Sequence, residues 1–132
     1  MKKYLFVFCA IALTACQHNE KPCSYYRSMA ETPVYFDFGS SQIQEQSKVT
    51  LDEGLIFLKG HRFRRIQLDG FADEIGGESD FNNDLSLKRA ETVRDYLINQ
   101  GIAEKRIVTV VGHGVEKGKP RKSHRRVDIT VK

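Results

Sequence analysis

Gly70-Phe71-Ala72-Asp73-Glu74-Ile75-Gly76-Gly77, followed by Phe81-Asn82-Asn83-Asp84-Leu85-Ser86-Leu87-Lys88-Arg89-Ala90, decides the fold of this chain. Ile66 and Leu68 alternate into the first segment as a strand, a glycine-rich turn follows, and a long helix leaves near Asp84. Asp73 falls at the strand's exit and Arg89 in the first turns of the helix. A turn that folds back brings these two charges to either side of one shallow pocket. The pair suits a ligand carrying both an ammonium and a carboxylate, because arginine grips a carboxylate with a rigid two-pronged fork.

Outward from this centre the pattern stays simple. Val34 to Phe38 is β-branched and aromatic, follows Pro33 and is broken by Gly39-Ser40-Ser41, so it reads as a strand. Glu45 to Lys59 reads as a helix, with Leu51, Leu55 and Leu58 at i, i+4 and i+7 and Ile56 beside them as its apolar stripe. Gly54 weakens its interior by up to about 1 kcal/mol relative to alanine. His61, Arg62, Arg64 and Arg65 form a basic connection, read as a solvated loop, and a strand follows over 65–71. The long helix carries Leu85, Val93, Tyr96 and Leu97 at core spacing and stops at Gly101. Strands over 106–111 and 125–131 complete the order βαβαββ, which predicts an α/β (α+β) sandwich with both helices on one face of a small sheet.

The N-terminus reads as an export signal. Lys2 and Lys3 precede a short apolar run from Tyr4 to Leu13, too short to span a bilayer. Leu13-Thr14-Ala15-Cys16 matches the bacterial lipobox, in which the cysteine takes a diacylglycerol and becomes the mature N-terminus. Cys16 is therefore the expected lipidation site, and Gln17 in place of Asp points to the outer membrane. Residues 17–33 are polar, hold Pro22 and Pro33 and lack a helical period, so 16–33 is read as a lipidated N-terminus and flexible linker, and 34–132 as one domain. Cys23 is left without a partner in the chain, either as an idle thiol or for an intermolecular disulfide. The chain has 132 residues and formal charge +4; without Lys2 and Lys3, 19 basic side chains face 17 acidic ones. That balance gives no argument for nucleic acid.

The central stretch resembles the OmpA-like peptidoglycan-binding family, in its peptidoglycan-associated lipoprotein type. Gly70, Ala72, Asp73 and Gly76 match the family's turn, and Phe81, Asn82, Leu85, Ser86, Arg89 and Ala90 match its helix entry. The chain departs from the pattern in places, among them a shorter loop before the last strand. Phe71 stands where the family has histidine, the span around Gly77 to Asp80 is one residue longer, and His124 replaces the asparagine of Asn-Arg-Arg-Val before the last strand. The resemblance implies mixed strand directions and a non-covalent grip on the diaminopimelate of the stem peptide. Asp73 would take the ammonium and Arg89 the carboxylate. Backbone near Asp37 and Ala72 would assist, with Phe38, Asn82, Leu85 and Arg125 around the pocket. The implied partners are peptidoglycan, the outer membrane through the lipid, and envelope proteins. The implied role is tethering membrane to wall or, as the alternative, anchoring a larger envelope machine such as a secretion or motility apparatus.

Three rival chemistries find little in the sequence. Hydrolysis at Asp73 needs a second carboxylate, a metal or a nucleophile, so no enzymatic activity is expected. His18, His61, His113 and His124 form no close pair and no cysteine pair accompanies them, so neither metal nor cofactor is expected. The basic run Lys117 to Arg126 reads as a solvated loop, or as a patch drawn to wall carboxylates or lipid phosphates.

Overall fold

The computed structural model describes residues 21–73, 79–117 and 121–132. The signal segment, Cys16, Gln17, Gly76 and Lys119 lie outside the described residues. In chain order the elements are α1 (Cys23–Ala30), β1 (Val34–Tyr35), α2 (Glu45–Gly60), β2 (Ile66–Ala72), α3 (Ser79–Asn99), a 3-10 turn (Glu104–Arg106), β3 (Ile107–Val115), α4 (Arg121–His124) and β4 (Arg126–Val131). The sheet runs β1-β4-β2-β3. β2 and β3 are parallel, and β4 is antiparallel to both β1 and β2. This is the expected βαβαββ sandwich with mixed strand directions.

One face of the sheet is apolar because β2 and β4 alternate. Ile66, Leu68, Val127 and Ile129 point into a single cluster with Leu55 and Leu58 of α2 and Val93 and Leu97 of α3, so both helices cover the same face. Burying a side chain of this size contributes about 1.5–3 kcal/mol. Gly101 at φ +100° ends α3 as expected. Gly70 has no Cβ because the backbone of Ser86 in α3 lies directly on it. That close seat presses the start of α3 onto the end of β2.

Four details differ from the sequence reading. Ile56 is 55% exposed and Phe57 is buried instead. At 3.6 residues per turn, Ile56 sits about 140° round the helix from Leu51, on its far side. α3 begins at Ser79, not near Asp84. The first strand is only Val34–Tyr35, because beyond Phe36 the carbonyls of Asp37 and Ser40 turn to a side chain of α3. Finally, part of the expected linker is α1, docked on α2. A Cβ on Gly54 would come 2.6 Å from Ala30 Cα, so the glycine that weakens α2 is the seat on which α1 rests. Tyr25 Oη donates to Glu53 Oε2 (2.7 Å) and Lys21 Nζ to Glu53 Oε1 (2.9 Å), fastening the same contact.

Candidate ligand-binding site

The exit of β2, the loop after β1, the first turns of α3 and the start of β4 meet at one end of the sheet. Arg89 is the hub. Its side chain is fully buried, with Nε donating to Ser40 O (2.8 Å), Nη1 to Phe71 O (2.9 Å) and Nη2 to Asp37 O (3.1 Å). Its guanidinium carbon lies 5.3 Å from the Phe36 ring centre. These contacts use three of the five N–H groups a guanidinium carries, leaving one on each terminal nitrogen. Burial pushes the Arg89 guanidinium down to about 10, against the opposing pull of Asp73's charge and with the repulsion of Arg125. It remains charged at neutral pH.

Asp73 is 3% exposed. Its Oδ2 lies 3.7 Å from Arg125 Nη1, and its buried Oδ1 has no hydrogen-bond partner among the described residues. A carboxylate oxygen in that condition costs free energy unless a donor reaches it. The structure thus brings Asp73, Ala72, Arg89, Asp37 and Arg125 together, but not as two open charges flanking a shallow pocket. Both charges are buried, Arg89 reaching inward to three carbonyls and Asp73 shut in at the end of β2.

The remaining expected residues fall around this hub. Asp37 is exposed, and its carboxylate accepts from Gln44 Nε2 at 2.6 Å. Phe38 is 66% exposed on the same loop. Ala72 is fully buried at the end of β2. Asn82 and Leu85 are buried on the first turns of α3, seven and four residues before Arg89. Phe71 explains how the chain dispenses with the family's histidine. Its ring stacks 5.1 Å from that of His113 and lies 4.3 Å below the Arg126 guanidinium, on the outer face of the sheet. What Phe71 lends the site is its carbonyl, which any residue supplies.

The sequence reading missed two residues here. Ser86 accepts from Gly114 N through its Oγ (2.9 Å) and donates to Asn83 O (2.7 Å), tying α3 to β3. Arg126 is buried rather than part of a solvated loop, with Nε donating to Asp128 Oδ1 (2.8 Å) and Nη2 to Glu116 Oε2 (2.9 Å). A basic run gives no sign that Arg126 is buried. The only signal is the alternation of β4, which sets Val127, Ile129 and Val131 on the core face and Arg126 and Asp128 on the other.

The OmpA family model matches residues 35–128. The chain is 32% identical over 77 residues to the peptidoglycan-associated lipoprotein of Mesorhizobium japonicum, covering 58% of this chain and 45% of that one. It is 30% identical over 103 residues to the protein of the same name from Buchnera aphidicola, covering 73% of this chain and 59% of that one. It thus spans about half the length of the curated relatives it matches. Among solved structures, the peptidoglycan-associated lipoprotein from Burkholderia pseudomallei superposes with a TM-score of 0.70 at 34% identity, covering 78% of this chain and 92% of that one. The match runs from β1 into β4 and takes in the loop after β1, the exit of β2 and the start of α3, so the chain belongs to the OmpA family.

Proposed function

We propose that this chain is a lipid-anchored, non-enzymatic module that binds peptidoglycan through the diaminopimelate of its stem peptide and ties the outer membrane to the wall. One observation carries the reading. At the exit of β2 a buried carboxylate oxygen of Asp73 lacks a donor among the described residues, beside Arg89 with two uncommitted N–H groups. An ammonium satisfies the first and a carboxylate the second, so a ligand bearing both complements the site. An exposed pair contributes only about 0.2–1 kcal/mol, and the attraction between charges grows as water is excluded from them. Arg89 keeps its proton at neutral pH, which suits holding a ligand rather than transforming it. The relatives named peptidoglycan-associated lipoprotein support peptidoglycan as the polymer that is bound. Acylation at Cys16 supplies the other attachment, and two attachments make a weak single site useful on a repeating polymer.

Co-sedimentation with purified peptidoglycan tests this directly. The folded protein is expected in the pellet, and free diaminopimelate is expected to return it to the supernatant. Protein that stays in the supernatant, or binding indifferent to excess diaminopimelate, contradicts the reading.

A further inference from the structure

Phe63 is 101% exposed, more than any other large apolar side chain among the described residues. It sits at the tip of the turn His61-Arg62-Phe63-Arg64, closed by Arg64 N donating to His61 O at 3.1 Å. The turn is stapled from beneath. Arg106 donates from Nε to Arg64 O (3.0 Å), from Nη1 to Leu58 O (2.8 Å) and from Nη2 to His61 O (2.9 Å). His61 stacks on Phe57 with ring centres 4.1 Å apart, and Arg65 pairs through its backbone with Lys132. The phenyl ring therefore faces water on a braced support.

Cations surround it. Phe63 shares one shallow cleft with Lys59, Arg62 and Lys105, and another with Arg64 and Lys132. Among the described residues, Lys59, Arg62, Arg64 and Lys105 have no ion-pair partner. Glu104 is the one acidic side chain within 59–65 and 100–107. An aromatic ring ringed by uncommitted cations matches the boundary of an anionic bilayer, where the ring enters the headgroup layer and the cations meet phosphates.

The chain's own path favours this occupant. α1 starts at this end, with Cys23 Sγ 4.0 Å from His61 Nε2. From Lys21 back to Cys16 are five peptide steps, a reach of at most about 18 Å. The ligand site lies at the far end of β2, nine residues and about 30 Å from Arg64 along an extended strand.

We propose that the turn at Phe63, with Lys59, Arg62, Arg64, Lys105 and Lys132 around it, is a membrane-facing surface that seats Phe63 in the headgroup layer of an anionic phospholipid leaflet. The domain then stands with its ligand site turned away from the bilayer. The placement rests in part on the anchor proposed at Cys16; the surface itself does not.

The chain contains no tryptophan, so Phe63→Trp installs a single reporter. The full chain is mixed with phosphatidylcholine vesicles with or without phosphatidylglycerol, free of peptidoglycan, and emission is read on the fraction that floats with them. On phosphatidylglycerol the emission is expected to shift to the blue and to be quenched by brominated acyl chains. The shift should be lost on phosphatidylcholine alone and with Arg62→Glu/Arg64→Glu, since each basic residue near an anionic surface contributes on the order of fivefold. Val49→Trp, on α2, should report water throughout. A Phe63→Trp emission that stays at the water-exposed wavelength on phosphatidylglycerol, or shifts equally on both vesicles, overturns the proposal. Either result leaves peptidoglycan co-sedimentation untouched.

Discussion

Arg89 and Arg106 each close three backbone carbonyls, at opposite ends of β2, and differ in what lies beside them. Arg89 is fully buried, with Asp73 and Arg125 acting on its charge. Arg106 is half-buried, its guanidinium lowered from the ordinary range by burial alone, and the turn it braces carries Phe63 into solvent. The same device thus serves two ends. At one it completes a buried charge cluster with acceptor and donor capacity to spare. At the other it holds up an exposed ring among cations. A three-carbonyl arginine is therefore a construction element, and only its neighbours say whether it meets a ligand.

Replacing each arginine by alanine measures that difference. Arg89→Ala strands three inward carbonyls and leaves Asp73 less compensated, so a loss of about 4 kcal/mol or more is expected in urea unfolding. A folded Arg89→Ala of near wild-type stability would show that its hydrogen bonds do not hold the site together. Gly54→Ala comes next. In a free helix the change gains up to about 1 kcal/mol, but here the new Cβ meets Ala30 and the sign reverses, at a cost of about 1–3 kcal/mol. Hydrogen exchange should show amides 23–30 losing protection while those of β2 keep theirs, which would separate the two ends energetically. Arg106→Ala should cost about 1–2 kcal/mol, confined to amides 58–65, because water reaches the carbonyls it leaves.

The smallest effect is one of pH. Tyr25 and Lys21 donate to Glu53 and hold its carboxyl below the usual 4.5. A carboxyl lowered in the folded state stabilises above its unfolded value and stops doing so as pH falls through its folded one. Protection of amides 23–30 should therefore weaken in acid, below about pH 4.5, and Glu53→Gln should remove that dependence. Unchanged protection of α1 across this range would show that Gly54 alone seats it.

Most of the fold was legible because period and punctuation were strong. Leu51, Leu55 and Leu58 marked the buried stripe of α2, and Gly101 marked the end of α3. α1 was hidden, since a polar stretch between two prolines shows no period. It rests on Gly54, some two dozen residues away, which read only as a weak point. At the site, Asp73 and Arg89 were found by their place in the motif, but their burial was not. Three carbonyls pointing inward leave no trace in side-chain identity. Arg106 passed as the first residue of a strand for the same reason. Phe63 was passed over, because a lone aromatic between arginines says nothing about the brace beneath it.

In the proposed function, the carboxylate of Asp73 holds a cation of the wall. Asp73→Asn keeps the shape of the side chain and removes its charge. Run beside the wild type in co-sedimentation with purified peptidoglycan at neutral pH, with urea unfolding confirming the fold, the variant is expected to lose binding at least about tenfold, the equivalent of one desolvated charge contact. A folded Asp73→Asn that sediments as the wild type does would show that the Asp73 charge holds no part of the wall.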